Sequence, residues 1–124
     1  MSHEIRDVIG VVDDDPRILE SLEDLLESAG YGVRCYSSGR ALLASDIASI
    51  DCLITDVCMP GMDGFELRDR MKQVRPELPV FLISARTDLR SDRRVESEVE
   101  FFPKPFDGPT LLAAIGEALR RTDG

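Results

Sequence analysis

Asp13, Asp14 and Asp15 stand side by side after the apolar run VIGVV (8–12), and a fourth acid, Asp56, closes a second run, CLIT (52–55). Two more reactive groups end apolar segments: Ser84 in VFLIS (80–84) and Lys104 in FFPKPF. Carboxylates brought together repel unless some are protonated or a cation sits among them. One ammonium against three or four carboxylates leaves excess negative charge, and a hard divalent cation balances it. Mg²⁺ favours one or two carboxylates completed by water and phosphate oxygens. A carboxylate beside such a cation can attack phosphorus and form an acyl phosphate. A hydroxyl, an ammonium and the cation would then hold the phosphoryl oxygens. Taken singly, each aspartate has a plainer reading as a helix N-cap or loop acid. Asp56 resists that reading, because VCMPGMDG comes directly after it and no helix starts there to be capped.

These groups meet only if the elements carrying them end on one edge. The runs 8–12, 52–55 and 80–84 are continuously apolar, as strands covered on both faces are; weaker strand candidates are GVRCY (32–36) and EVEFF (98–102). Helical spacing lies between them. In PRILESLEDLLESAG (16–30), Ile18, Leu19, Leu22, Leu25, Leu26 and Ala29 form one face, and Gly30 suits the C-terminal cap. Further helices are expected over 64–74 and 108–121, and a short one capped by a serine within 37–45. Pro16 suits a first helical position, which makes Asp15 the N-cap of the first helix and separates it from Asp13 and Asp14. Strand and helix alternating five times imply a doubly wound α/β sheet. Right-handed crossovers place all strand C-termini on one edge, where such sheets bind ligands.

The chain has 124 residues, enough for one domain with its own core. It carries 15 basic and 24 acidic residues, net −9, which argues against direct nucleic-acid binding. No apolar run approaches the roughly 20 residues that span a bilayer, and MSHEIRD lacks the basic-then-apolar order of a signal peptide. Cys35, Cys52 and Cys58 have no CxxC spacing and read as free thiols of a reducing, cytoplasmic setting, packed as small apolar groups. His3 reads as a terminal residue without a role.

VVDDDP, LITDVCMPGMDG, LISA and FFPKPF, in this order and spacing, resemble the receiver domain of bacterial two-component response regulators. The likeness runs from about Asp7 to Arg121, the domain being set at 5–121, and VEFFPKPF looks most like the nitrogen-fixation regulator subgroup. The resemblance implies a flavodoxin-like five-stranded parallel sheet of order 2-1-3-4-5 with five helices. It implies a phosphorylation-activated switch rather than an enzyme: Asp56 accepts a phosphoryl group from a sensor histidine kinase, with Mg²⁺ as cofactor. Asp13 and Asp14 match the acidic pair that holds Mg²⁺, Asp14 directly and Asp13 through water, with Asp56 and the Cys58 backbone carbonyl completing the protein ligands. Ser84 matches the switch hydroxyl and Lys104 the partner lysine, followed by a cis bond to Pro105. Phe101 matches the aromatic that swings inward on activation, beside its plainer reading as a core residue. Cys58 and Arg86 occupy positions that tune dephosphorylation. Such receivers usually precede a helix-turn-helix DNA-binding domain; none is present in this chain, which reads either as a stand-alone receiver or as part of a longer regulator with a DNA-binding output domain. They commonly dimerise through the face of the fourth helix, fifth strand and fifth helix.

The stretch RTDLRSDRRVESEVE (86–100) departs from the pattern. Before Val99, Leu89 and Val95 are its main apolar residues, and VESE stands where a small Gly-Ala pair is usual. A helix with so little apolar face gains little from packing, so the fourth helix is expected to be short, irregular or displaced, and phosphorylation could order it. Two other readings remain: a receiver-like scaffold that binds partners without phosphorylation, and an aspartyl phosphatase. The second lacks the acid two residues after its nucleophile, that position being Cys58.

Overall fold

A computed structural model describes residues 6–95 and 100–123; His3 and residues 96–99 of the divergent stretch lie outside them. The elements are β1 (Val8–Val12), α1 (Pro16–Ser28), β2 (Gly32–Tyr36), α2 (Gly39–Leu43), β3 (Cys52–Asp56), α3 (Gly64–Val74), β4 (Val80–Ser84), β5 (Phe101–Pro103) and α4 (Gly108–Asp123). Single 3₁₀ turns cover Ile47–Ser49 and Thr87–Ser91. All strand pairs are parallel, in the order β2-β1-β3-β4-β5, as expected.

Alternate residues of the central strands feed two cores. Ile9, Val11, Cys52, Ile54, Phe81 and Ile83 face α1 and α4, where Leu22, Leu26, Leu111 and Ile115 meet them. Val12, Leu53, Val80 and Leu82 face the other way, toward Leu42 of α2 and Phe65, Leu67 and Met71 of α3. Because both faces are covered, β3 and β4 are buried along their whole length, which is why they read as unbroken apolar runs.

Two expectations are corrected. Four α-helices, not five, stand among the described residues, and the place of the fourth is taken by the 3₁₀ turn Thr87–Ser91. Among the described residues of this stretch, Leu89 and Val95 are the apolar ones that pack against the α3-side core, too few for the continuous stripe that stabilises a longer helix. Among the described residues the last strand covers Phe101–Pro103, starting after Glu100 and running one residue past the expected end at 102; residues 98 and 99 of the expected 98–102 lie outside the described residues. The second helix is short and serine-capped, as expected within 37–45; Ser38 caps it by accepting from the Ala41 N–H at 3.1 Å.

Candidate functional site

The C-terminal edge of the sheet brings the candidates together. β1 hands directly to Asp13, which is fully buried, while Asp14 is exposed. Both Asp13 oxygens are occupied: Oδ1 accepts from the Asp15 N–H at 2.8 Å, and Oδ2 from Lys104 Nζ at 2.8 Å. Asp15 turns away from this cluster and caps α1, accepting from the Arg17 N–H at 2.9 Å. Of the expected division, the part that falls to Asp15, capping α1, is what the backbone makes.

Asp56 is the last residue of β3 and is 4% exposed. Glycine shapes the segment between it and α3. Gly61 turns the chain at φ +79°, in the left-handed region glycine favours. A Cβ on Gly64 would run into the Asp56 carbonyl and stand 2.8 Å from Val57 Cα. Only a glycine lets α3 start so close behind the acceptor strand, and Asp63 caps that helix through the Glu66 N–H at 2.9 Å. The "PGMDG" spacing thus positions Asp56 rather than joining its chemistry.

Lys104 comes directly after β5 and precedes a cis bond to Pro105. Its ammonium lies 2.8 Å from Asp13 and 3.4 Å from Asp56. Burial works against that ammonium, but the hydrogen bond to Asp13 and the charges of Asp56 and Asp13 outweigh it, and its pKa rises. For Asp56, burial first and the Asp13 charge second push the carboxyl from 3.8 to about 6, against the pull of Lys104 and the Cys58 N–H. One ammonium leaves the carboxylates under-compensated. Asp13, Asp14 and Asp56 each offer an oxygen, all within 4.8 Å of one another. An all-oxygen set with one exposed member suits a hard cation that keeps part of its water.

Ser84 is buried at the end of β4, and its Oγ accepts from the Arg86 N–H at 3.0 Å and lies 3.8 Å from Cys58 Sγ. The Lys104 N–H donates to the Ser84 carbonyl at 2.9 Å, tying the two strand ends together. Arg86 is exposed and forks onto Asp88 at 2.7 Å. Phe101 is not at the cluster: it lies buried in the α3-side core, in register with Leu82. Cys52 is buried, as expected of a small apolar packer, but Cys35 and Cys58 are exposed; all three are free thiols.

A residue not anticipated from the sequence is Arg68. It is buried on α3 and pairs with Glu100 at 3.2 Å. The signal was its spacing, four after Gly64 and three before Met71, on the inner side of the helix.

Fold, strand-end acids and lysine together define a phospho-acceptor switch domain of the doubly wound class. Residues 9–116 match the family model of the response regulator receiver domain, and the chain belongs to that family. The transcriptional regulatory protein FixJ of Bradyrhizobium diazoefficiens is 37% identical over 118 residues, 93% of this chain and 58% of that protein. The response regulator protein TmoT of Ectopseudomonas mendocina is 37% identical over 117 residues, 91% of this chain and 53% of that one. The chain spans about half the length of these curated relatives. Among solved structures, a receiver domain protein of Clostridium thermocellum has TM-score 0.84 at 30% identity, covering 94% of this chain and 97% of that one. The response regulator TrrA of Thermotoga maritima, in complex with Mg²⁺ and BeF, has TM-score 0.83 at 27% identity, covering 90% and 98%.

Proposed function

We propose that this receiver domain takes a phosphoryl group onto Asp56 from a sensor histidine kinase in the cytoplasm, holding Mg²⁺ beside it. The observation that carries this is the grouping of Asp13, Asp14 and Asp56 around a single lysine at the strand ends. An Asp56 Oδ attacks phosphorus, the P–N bond of the kinase phosphohistidine breaks, and its electron pair leaves with the imidazole nitrogen. Bound Mg²⁺ would offset the charge on the phosphoryl oxygens. Lys104 bridges Asp13 and Asp56 and is placed to track the negative charge as it moves onto those oxygens. The two occupied oxygens of Asp13 favour an indirect part in holding the cation, and the exposed Asp14 a direct one. The Cys58 carbonyl completes the proposed protein ligands.

Ser84 would turn to donate its hydroxyl to a phosphoryl oxygen, leaving the Arg86 N–H it now accepts from, and Phe101, already buried, would answer from the neighbouring strand. The chain would act as a switch rather than as an enzyme that turns over substrate. Its relatives' names fit an output in transcription, delivered by whatever the receiver contacts. A homodimer would use the face of the 86–95 stretch, β5 and α4. The test is incubation with a small phosphoryl donor such as acetyl phosphate. Intact mass should rise by one phosphoryl group with Mg²⁺ and not with chelator. A gain that persists in Asp56→Asn would remove the site assignment, and turnover of an aryl phosphate would favour the phosphatase reading.

A further inference from the structure

The stretch 86–95 takes the place of a helix, yet it is held at two points. At its start the Arg86 N–H donates to Ser84 Oγ at 3.0 Å. At its far end it is seated on α3 by Arg68, a guanidinium only 3% exposed on an outer helix, where arginine is seldom buried unless paired. Arg68 Nη1 donates to the Arg94 carbonyl at 2.5 Å and pairs with Glu100 at 3.2 Å, while Asp69 takes another face of the guanidinium at 3.2 Å. Arg94 in turn lies 4.1 Å over the Phe65 ring and 3.9 Å from Asp63. Both anchor points border the acceptor. Ser84 ends the strand beside it, and the turn carrying Asp63, Gly64 and Phe65 packs on the end of β3, the Gly64 N–H donating to the Val57 carbonyl at 2.9 Å.

We propose that Arg68 is a positioning residue that locks the 92–95 turn and Glu100 in their resting place on α3, and that this lock opposes activation at Asp56. The inference rests on the reading of Asp56 as acceptor and Ser84 as the group that turns toward the phosphoryl oxygens. When Ser84 gives up the Arg86 N–H, the start of the stretch is released while its far end stays tied. Further movement then has to part Glu100 and the Arg94 carbonyl from Arg68, which is costly because the buried guanidinium loses two of its partners. A ligand shifts a conformational equilibrium only by its differential affinity, and the coupling is reciprocal. Weakening the lock therefore tightens the binding of a phosphoryl mimic at a site that Arg68 does not touch.

The test measures the apparent Kd for beryllium fluoride at saturating Mg²⁺, on the full chain, by fluorine NMR, with folding monitored by circular dichroism. Arg68→Gln should bind about tenfold more tightly than wild type, within the usual range of such couplings, and Arg68→Lys, which keeps the charge, should stay within about twofold. Should Arg68→Gln fail to fold, Glu100→Gln decides; it removes the carboxylate charge that Arg68 pairs with, leaves Asp69 and the Arg94 carbonyl on the guanidinium, and should tighten binding about threefold. A purely structural role lowers stability and leaves Kd unchanged, and an unchanged or weaker Kd in the deciding variant overturns the lock. A wild type with no Mg²⁺-dependent binding overturns the acceptor reading, and the lock with it.

Discussion

Asp56 is ionised at neutral pH at the expense of the fold. Burial and the Asp13 charge raise its pKa from 3.8 to about 6. The folded domain thus binds this proton more tightly than the unfolded chain does, and stability falls as pH rises from about 3.8 to about 6. At 1.36 kcal/mol per pH unit, the loss amounts to about 3 kcal/mol by pH 7.5. Asp56→Asn keeps the shape of the side chain and removes the charge. In chelator at pH 7.5 it should be more stable than wild type by about 3 kcal/mol, on the order of 10 °C in Tm for a domain of this size. At pH 4 the native carboxyl is protonated, and the gap should shrink below about 1 kcal/mol. Added Mg²⁺ binds the wild-type native state and should narrow the gap at pH 7.5 as well. Urea unfolding monitored by circular dichroism, at the two pH values and with and without Mg²⁺, gives all three comparisons. An Asn variant less stable than wild type at pH 7.5, or a gap independent of pH, would refute the claim that the site stores charge repulsion at Asp56.

The same geometry sets other outcomes. Lys104→Met leaves Asp13 and Asp56 facing each other without their shared ammonium and should destabilise the domain by about 3 kcal/mol. Adding Asp13→Asn should recover part of that loss in urea unfolding. Asp15→Ala should cost about 1 kcal/mol through the lost cap of α1 and leave phosphorylation intact. Asp14→Ala should do the reverse, weakening Mg²⁺ binding at least about tenfold by calorimetry with stability unchanged, as expected for an exposed ligand.

The sheet was legible because burial on both faces removes any need for alternation, so the central strands stand out as unbroken apolar runs. The site was legible because acids, Ser84 and Lys104 end those runs. Asp15 could be separated from its neighbours by Pro16 alone. The stretch 86–95 was legible only in part. Its scarcity of apolar residues ruled out a long helix, and the 3₁₀ turn agrees. Where the stretch is anchored depends on Arg68, Phe65 and Glu100, brought together across some 30 residues by a buried guanidinium that meets carboxylates and a ring. An arginine between glutamate, aspartate and lysine in α3 reads as solvent-facing from composition, and only its helical phase says otherwise. The side of the sheet on which Phe101 falls is likewise set by the register Leu82–Phe101, which no single strand reveals.

The central claim is that the phosphoryl group resides on Asp56 and on no other acid of the cluster. Borohydride reduces an acyl phosphate to the alcohol and marks the acceptor permanently. Treating the domain with acetyl phosphate and Mg²⁺, reducing it and sequencing the peptides by mass spectrometry should show homoserine at position 56 alone. Homoserine at position 13 or 14, or none at all in a protein that has gained the mass of a phosphoryl group, would contradict the account.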